Sequence, residues 1–132
     1  MITIKEFIQW LESQDVTDIY GGYIPKGKMQ VIGVYSRDAV AQPEAYGTSS
    51  YSIKGLTLLV HWTKALDVTE EKALSLYNML DRAKFQTTAH TGWIECTRVP
   101  VDVGKDDNGV CEYTLDITVY AKPIKQEVNE YG

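Results

Sequence analysis

The chain has 132 residues, which suits one domain with a hydrophobic core of its own. Its formal net charge of −5 argues against the clustered lysine and arginine that phosphate-backbone binding requires, so we expect no specific nucleic-acid binding. We also expect no membrane association, because no apolar run could span a bilayer and the opening MITIKEFIQWLE lacks a signal-peptide layout. The two cysteines match no zinc or redox spacing and are expected to be free thiols in a reducing cytoplasm.

The chain begins with a short predicted helix. Thr3 is its candidate N-cap, and Glu6 follows at the spacing of a capping box. The apolar stripe that follows, Ile4, Phe7, Ile8 and Leu11, has helical spacing. A helix this short is marginal alone, so we expect it to dock on another element.

Two strands and a long loop are predicted next. Residues 18–24 and 28–35 carry β-branched and aromatic residues, and the Pro-Lys-Gly turn between them predicts a hairpin. The pattern stops over residues 36–50, where a proline, a glycine and scattered charges predict a loop. Loops of this length are usually functional or disordered, so a binding loop and a plain connector both remain open.

The centre of the chain, residues 53–81, predicts a strand followed directly by a helix. An alternation of period two gives residues 53–63 one apolar face, formed by Leu56, Leu58, Val60 and Trp62. Helical spacing then predicts a helix from about residue 69 to 84, capped by Asp67 or Thr69. A strand and a helix that each have one apolar face are expected to pack on each other.

A hairpin is predicted to close the domain. A strand over residues 93–103, bent or at an edge because of Pro100, is followed by a turn and by the cleanly alternating strand 111–121, and residues 122–132 form a polar tail. A three-residue loop over 107–109 would place Val101 opposite Leu115. The same register places Cys96 opposite Tyr120 and away from Cys111, so no disulfide is predicted.

These elements predict an α+β fold. Residues 1–132 form a single domain in which two helices pack on one face of a mostly antiparallel sheet, in the order α-β-β-β-α-β-β.

The sequence carries no recognisable catalytic, cofactor or metal signature. His61 and His90 lack partners at metal-ligand spacing, and serine-hydrolase, dinucleotide and P-loop motifs are absent. We therefore expect no enzyme activity, cofactor or metal.

Four residues around the predicted loop are candidates for a subunit or partner interface. Arg37 and Asp38 begin the loop, and Tyr46 and Tyr51 flank its far end. Arginine and tyrosine are both enriched at protein interfaces. A solvated charge pair is the alternative interpretation of Arg37 and Asp38.

Two stretches of the chain resemble the tail-terminator or minor capsid proteins of long-tailed bacteriophages. They are VIGVYSRDAVAQPEAYGTSSYSIKGLTLLVHWTKALDVTEEKALSLYNML and the closing GWIECTRVPVDVGKDDNGVCEYTLDITVYAK. The likeness lies in the element order, an arginine after the second strand, a long loop and a final alternating strand. It covers about residues 3–122.

The resemblance implies a non-catalytic virion protein of the tail or neck region that is assembled in the host cytoplasm. Such proteins close into rings, typically hexamers, that cap the tail tube and join the tail to the head. The implied partners are further copies of the chain, the tail tube protein and the head-connector protein. Arg37, Asp38 and the loop to Ser50 would contact a neighbouring subunit or the tube. Another neck or head-completion protein, or a small protein-binding domain, remains the alternative.

Overall fold

The computed structural model describes residues 1–40 and 51–124, which form two helices and one curled, mostly antiparallel sheet. The elements in chain order are α1 Ile4–Ser13, β1 Ile19–Gly21, β2 Val31–Val40, β3 Ser52–His61, α2 Leu66–Leu80, β4 Lys84–Gln86, β5 His90–Cys96, β6 Val101–Lys105 and β7 Cys111–Pro123. The strand order is β1-β2-β3-β7-β5-β4, and β6 also pairs with β7. The predicted α+β class is confirmed, although four strands rather than two follow α2.

The hydrophobic core lies between the two helices and one face of the sheet. Leu56, Leu58 and Val60 of β3 point into it, as their alternation predicts, and Trp62 packs against it partly buried. The odd-numbered residues of β7 from Tyr113 to Ala121 line the same face. The helices contribute Phe7, Trp10, Leu11, Ala73, Leu76 and Leu80.

The N-terminus of α1 is capped as predicted. Thr3 is the N-cap, and its Oγ1 accepts a hydrogen bond of 3.1 Å from the backbone N–H of Glu6. The Glu6 carboxylate contacts Thr87 and lies 2.7 Å from Nδ1 of His90, whereas a complete capping box would turn it back to Thr3. Glu6 therefore ties α1 to the connection between β4 and β5.

The N-terminus of α2 differs from the prediction. The helix begins at Leu66 with Ala65 as its N-cap, so the expectation of a cap at Asp67 or Thr69 is wrong. Thr69 is buried inside the helix, where its hydroxyl donates to the carbonyl of Ala65 over 3.0 Å and accepts from the N–H of Thr63 over 3.3 Å. These bonds hold the turn from β3 into α2.

The predicted first hairpin is wrong, because β1 and β2 are parallel. Ile19 pairs with Ile32 and Gly21 with Val34. A parallel pair requires the chain to run back along the strand, so residues 22–30 form a longer connection than a tight turn. Gly21 lets α1 approach this edge, since a Cβ there would lie only 3.1 Å from Cγ2 of Ile4.

The predicted loop over residues 36–50 begins too early. The structure continues β2 to Val40, with an irregularity between Ser36 and Asp38 that bulges at Arg37. Arg37 and Asp38 therefore lie in a strand that pairs with β3. Residues 41–50 of the predicted loop, including Tyr46, lie outside the described residues.

The closing strands differ from a simple hairpin. The predicted strand 93–103 is divided into β5 and β6 on either side of Pro100, and the predicted connector 85–91 contains part of β4. Gly109 has a φ of 82°, as a three-residue loop requires. An irregularity between Asp102 and Gly104 then shifts the register, so Val101 pairs with Thr114 and the prediction of Leu115 is wrong.

The two cysteines lie far apart in the sheet, Cys96 at the end of β5 and Cys111 at the start of β7. Cys96 pairs with Ile117, and the predicted partner Tyr120 is wrong. Ile117 is six positions along β7 from Cys111, which is about 20 Å at the rise of a strand and well beyond disulfide reach. At the end of β7, residues 122 and 123 of the predicted tail belong to the strand, whereas residues 125–132 lie outside the described part.

Candidate functional site

The face of the sheet opposite the helices, here called the outer face, carries the candidate site. It is formed by the odd-numbered residues of β3 and the even-numbered residues of β7, whose neighbours in sequence line the core. An ionic cluster lies in its middle, three aromatic side chains lie at one end, and a cavity lies at the other.

Arg37 is the centre of the ionic cluster. Its Nη1 donates to the carbonyl of Leu56 over 3.3 Å and lies 3.7 Å from Oδ1 of Asp116 on β7. The Asp116 carboxylate also accepts a hydrogen bond of 2.7 Å from Thr57 and lies 3.0 Å from Nη2 of Arg98. Arg37 thus crosses β3 and joins β2 to β7.

Gly55 makes this crossing possible. A Cβ at Gly55 would lie 1.8 Å from Oδ1 of Asp38 and 2.6 Å from Nη2 of Arg37. Asp38 lies 3.3 Å from Nε of Arg37, yet its side chain is 64% exposed. The charge of Arg37 is therefore balanced within its own chain, and the Asp38 carboxylate, although paired with Arg37, is largely exposed to solvent.

An aromatic cluster of Tyr51, Trp93 and Tyr120 lies where β3 begins. The rings of Trp93 and Tyr120 stack with centroids 4.7 Å apart and an interplanar angle of 6°, and Tyr51 lies 5.6 Å from Trp93. Burial, together with the carboxylate of Glu95, raises the pKa of Tyr120 above its ordinary value. Trp93 remains 38% exposed, so part of its ring is open to contact from outside the chain.

The cavity at the other end of the outer face has a volume of about 850 Å³. Its wall includes His61, whose Nδ1 lies 2.9 Å from Oε2 of Glu112 and whose Nε2 lies 3.8 Å from Oδ2 of Asp106. Backbone hydrogen bonds from Val110 and Asn108 lower the pKa of Asp106. Buried His61 therefore connects β3, β7 and the last turn.

Comparison with known protein families gives one match that spans most of the chain. Residues 8–122 match the family described as bacteriophage tail terminator protein. The chain belongs to this family. A comparison with individually curated proteins gives no match.

Membership of the tail-terminator family makes the chain a structural protein of the phage tail. It is located in the tail of the virion and associates with other tail components. The resemblance seen in the sequence is confirmed. Proteins of this structural family are typically non-catalytic.

The structure brings together only part of the predicted interface set. Arg37 and Asp38 are in contact, whereas Tyr51 belongs to the separate aromatic cluster. Sequence reasoning missed Asp116, Arg98, Trp93 and Tyr120. The signal for Asp116 was a carboxylate in the middle of an alternating strand, but its partners lie on β2, β3 and the segment after β5.

Within residues 1–40 and 51–124, no group of three or more potential metal-binding side chains converges. Within the same ranges, no helix has both the length and the apolar character needed to cross a bilayer.

Proposed function

We propose that the protein is the subunit of a terminator ring that caps the tail tube, stops its polymerisation and presents a surface to the head connector. The observation that carries the proposal is the family match over residues 8–122. The ring is a hexamer, and its subunits assemble in the host cytoplasm. The whole chain, residues 1–132, acts as one domain without catalytic activity.

The outer face supports this role because it offers exposed groups on a rigid frame. Asp38 and Trp93 are exposed, while Arg37 and Asp116 hold the strands beneath them together. Arg37, Asp38, Tyr46 and Tyr51 belong to the surface that contacts a neighbouring subunit or the tube. Arg37 acts there by positioning Asp38, since its own guanidinium is already engaged.

The net charge of −5 is consistent with a ring through which DNA passes. A negatively charged lumen repels the phosphate backbone, so DNA slides without binding. The partners are therefore protein surfaces of the tube and the head connector.

Tail-tube assembly tests the proposal. The protein is added to polymerising tube subunits, and tube lengths and ends are measured by negative-stain electron microscopy. We expect shorter tubes with a ring at one end, and native mass spectrometry of the capped material is expected to give six copies per end. Unchanged tube lengths with no bound protein would refute the terminator role.

A charge-reversal pair tests the assigned surface. Asp38→Lys is expected to weaken ring formation or capping, because it places a cation where the neighbour meets a carboxylate. Glu12→Lys makes the same change in charge at an exposed position on α1, away from the outer face, and serves as the control. Equal behaviour of the two variants would remove Asp38 from the interface.

A further inference from the structure

Tyr51 and Trp93 of the aromatic cluster line a cleft that also carries lysine side chains. The cleft has a volume of about 330 Å³ and is lined by Tyr51, Lys84, Thr91, Gly92, Trp93 and Lys122. Among the described residues, its charged lining groups are the exposed side chains of Lys84 and Lys122. In a chain of net charge −5, two lysines at one cleft form a local cluster of cations, with the carboxylate of Glu95 nearby beside Tyr120.

The solvent-facing side of α2 has the opposite character. Asp67, Glu70 and Glu71 lie on it together with Leu74, which is 43% exposed. Helical spacing places Asp67, Glu71 and Leu74 on the side opposite the buried Ala73, Leu76 and Leu80. We call this surface the acidic helix face. It combines an apolar side chain with carboxylates, as the cleft combines aromatic rings with ammonium groups.

The two surfaces cannot meet within one subunit. The cleft lies on the outer face where β3 begins, whereas the acidic residues of α2 follow the end of β3 on the helix side of the sheet. The ten residues of β3 separate them by about 30 Å. Complementary surfaces at opposite ends and on opposite sides of a subunit produce head-to-tail contacts, which form a ring when the rotation between copies closes and an open filament when it does not.

We propose that the acidic helix face of one copy docks into the lysine–aromatic cleft of the next copy and that this contact builds the ring. The inference rests on the proposed ring function and identifies its subunit interface. Asp67 and Glu71 pair with Lys84 and Lys122, and Leu74 packs on the exposed edge of Trp93. Exposed aromatic side chains of this kind are common anchors of interfaces.

Glu70 has a different role and is not substituted in the experiment. Its carboxylate accepts a hydrogen bond of 3.0 Å from the hydroxyl of Tyr113, so a substitution there would also disturb the core. The variants use only exposed charges: Asp67→Lys with Glu71→Lys for the helix variant, and Lys84→Glu with Lys122→Glu for the cleft variant. Lys5→Glu with Lys26→Glu, both exposed, is the control that matches the cleft variant in charge.

The experiment measures ring formation by native mass spectrometry, alone and on tail tubes. We expect each variant by itself to require at least about tenfold more protein to assemble, since like charges then face each other across the interface. An equal mixture of the two variants restores assembly, because the basic helix of one fits the acidic cleft of the other. With one variant labelled by ¹⁵N, the restored rings contain equal numbers of both.

Each other result has a definite meaning. Variants that assemble like the unmodified protein would refute this interface and leave the ring proposal standing. If each variant fails to assemble and their mixture also fails, the contact between these two surfaces of neighbouring copies is refuted. Absence of any ring from the unmodified protein, both alone and on tubes, would refute the proposed function together with this inference.

Discussion

Leu58 and Leu59 are adjacent leucines that face opposite sides of the same strand. Leu58 is 0% exposed and pairs with Val34 on one side and Leu115 on the other, both buried. Truncation to alanine leaves a cavity among these neighbours, so we expect Leu58→Ala to lower the free energy of unfolding by about 3 kcal/mol. For a domain of this size, that loss lowers Tm by roughly 12 °C.

Leu59→Ala is the matched control. Leu59 is partly exposed on the outer face, between Gly33 and Thr114. It buries less apolar surface, so the expected loss is about 1 kcal/mol.

The free energy of unfolding of both variants is measured by urea unfolding, followed by tryptophan fluorescence, at a concentration where the protein is monomeric. Equal losses, or a larger loss for Leu59→Ala, would refute the assignment of the two faces of β3.

Two titratable groups give further predictions. Burial raises the pKa of Glu6, but hydrogen bonding to Thr87 and His90 outweighs it and holds that pKa below the ordinary 4.5. A carboxyl group whose pKa is lowered by folding stabilises the fold at pH values above its unfolded pKa, and this stabilisation is lost as the pH falls. Between about pH 7 and about pH 3, the unmodified protein should therefore lose more free energy of unfolding than Glu6→Gln. Equal losses for the two proteins in urea titrations would contradict this. Partial burial, with the charge of Asp81, raises the pKa of the Cys96 thiol to about 12. Little thiolate is then present, so native Cys96 should resist iodoacetamide until urea unfolds the protein, and rapid labelling of native Cys96 seen by mass spectrometry would contradict the raised pKa.

The local parts of the fold could be predicted because their causes lie within a few residues. The Thr3 cap needs only the N–H of Glu6, three positions away, and the faces of β3 and β7 follow from an alternation along each strand. The turn that ends at Gly109 likewise follows from the residues around it. The interpretation of the outer face as an interaction surface also began with two sequence candidates, Asp38 and Tyr51.

Pairing between distant segments accounts for what the sequence did not reveal. Thr57 and Asp116, which flank the path of Arg37, are separated by 59 positions, and Glu6 and His90 by 84. Periodicity says which face a residue takes but not which strand lies beside it, so parallel β1 and the register of β6 could not be inferred. The lysine–aromatic cleft arises in the same way. Its residues come from Tyr51, just before β3, and from β4, β5 and β7, and they meet only when these strands pair in the sheet.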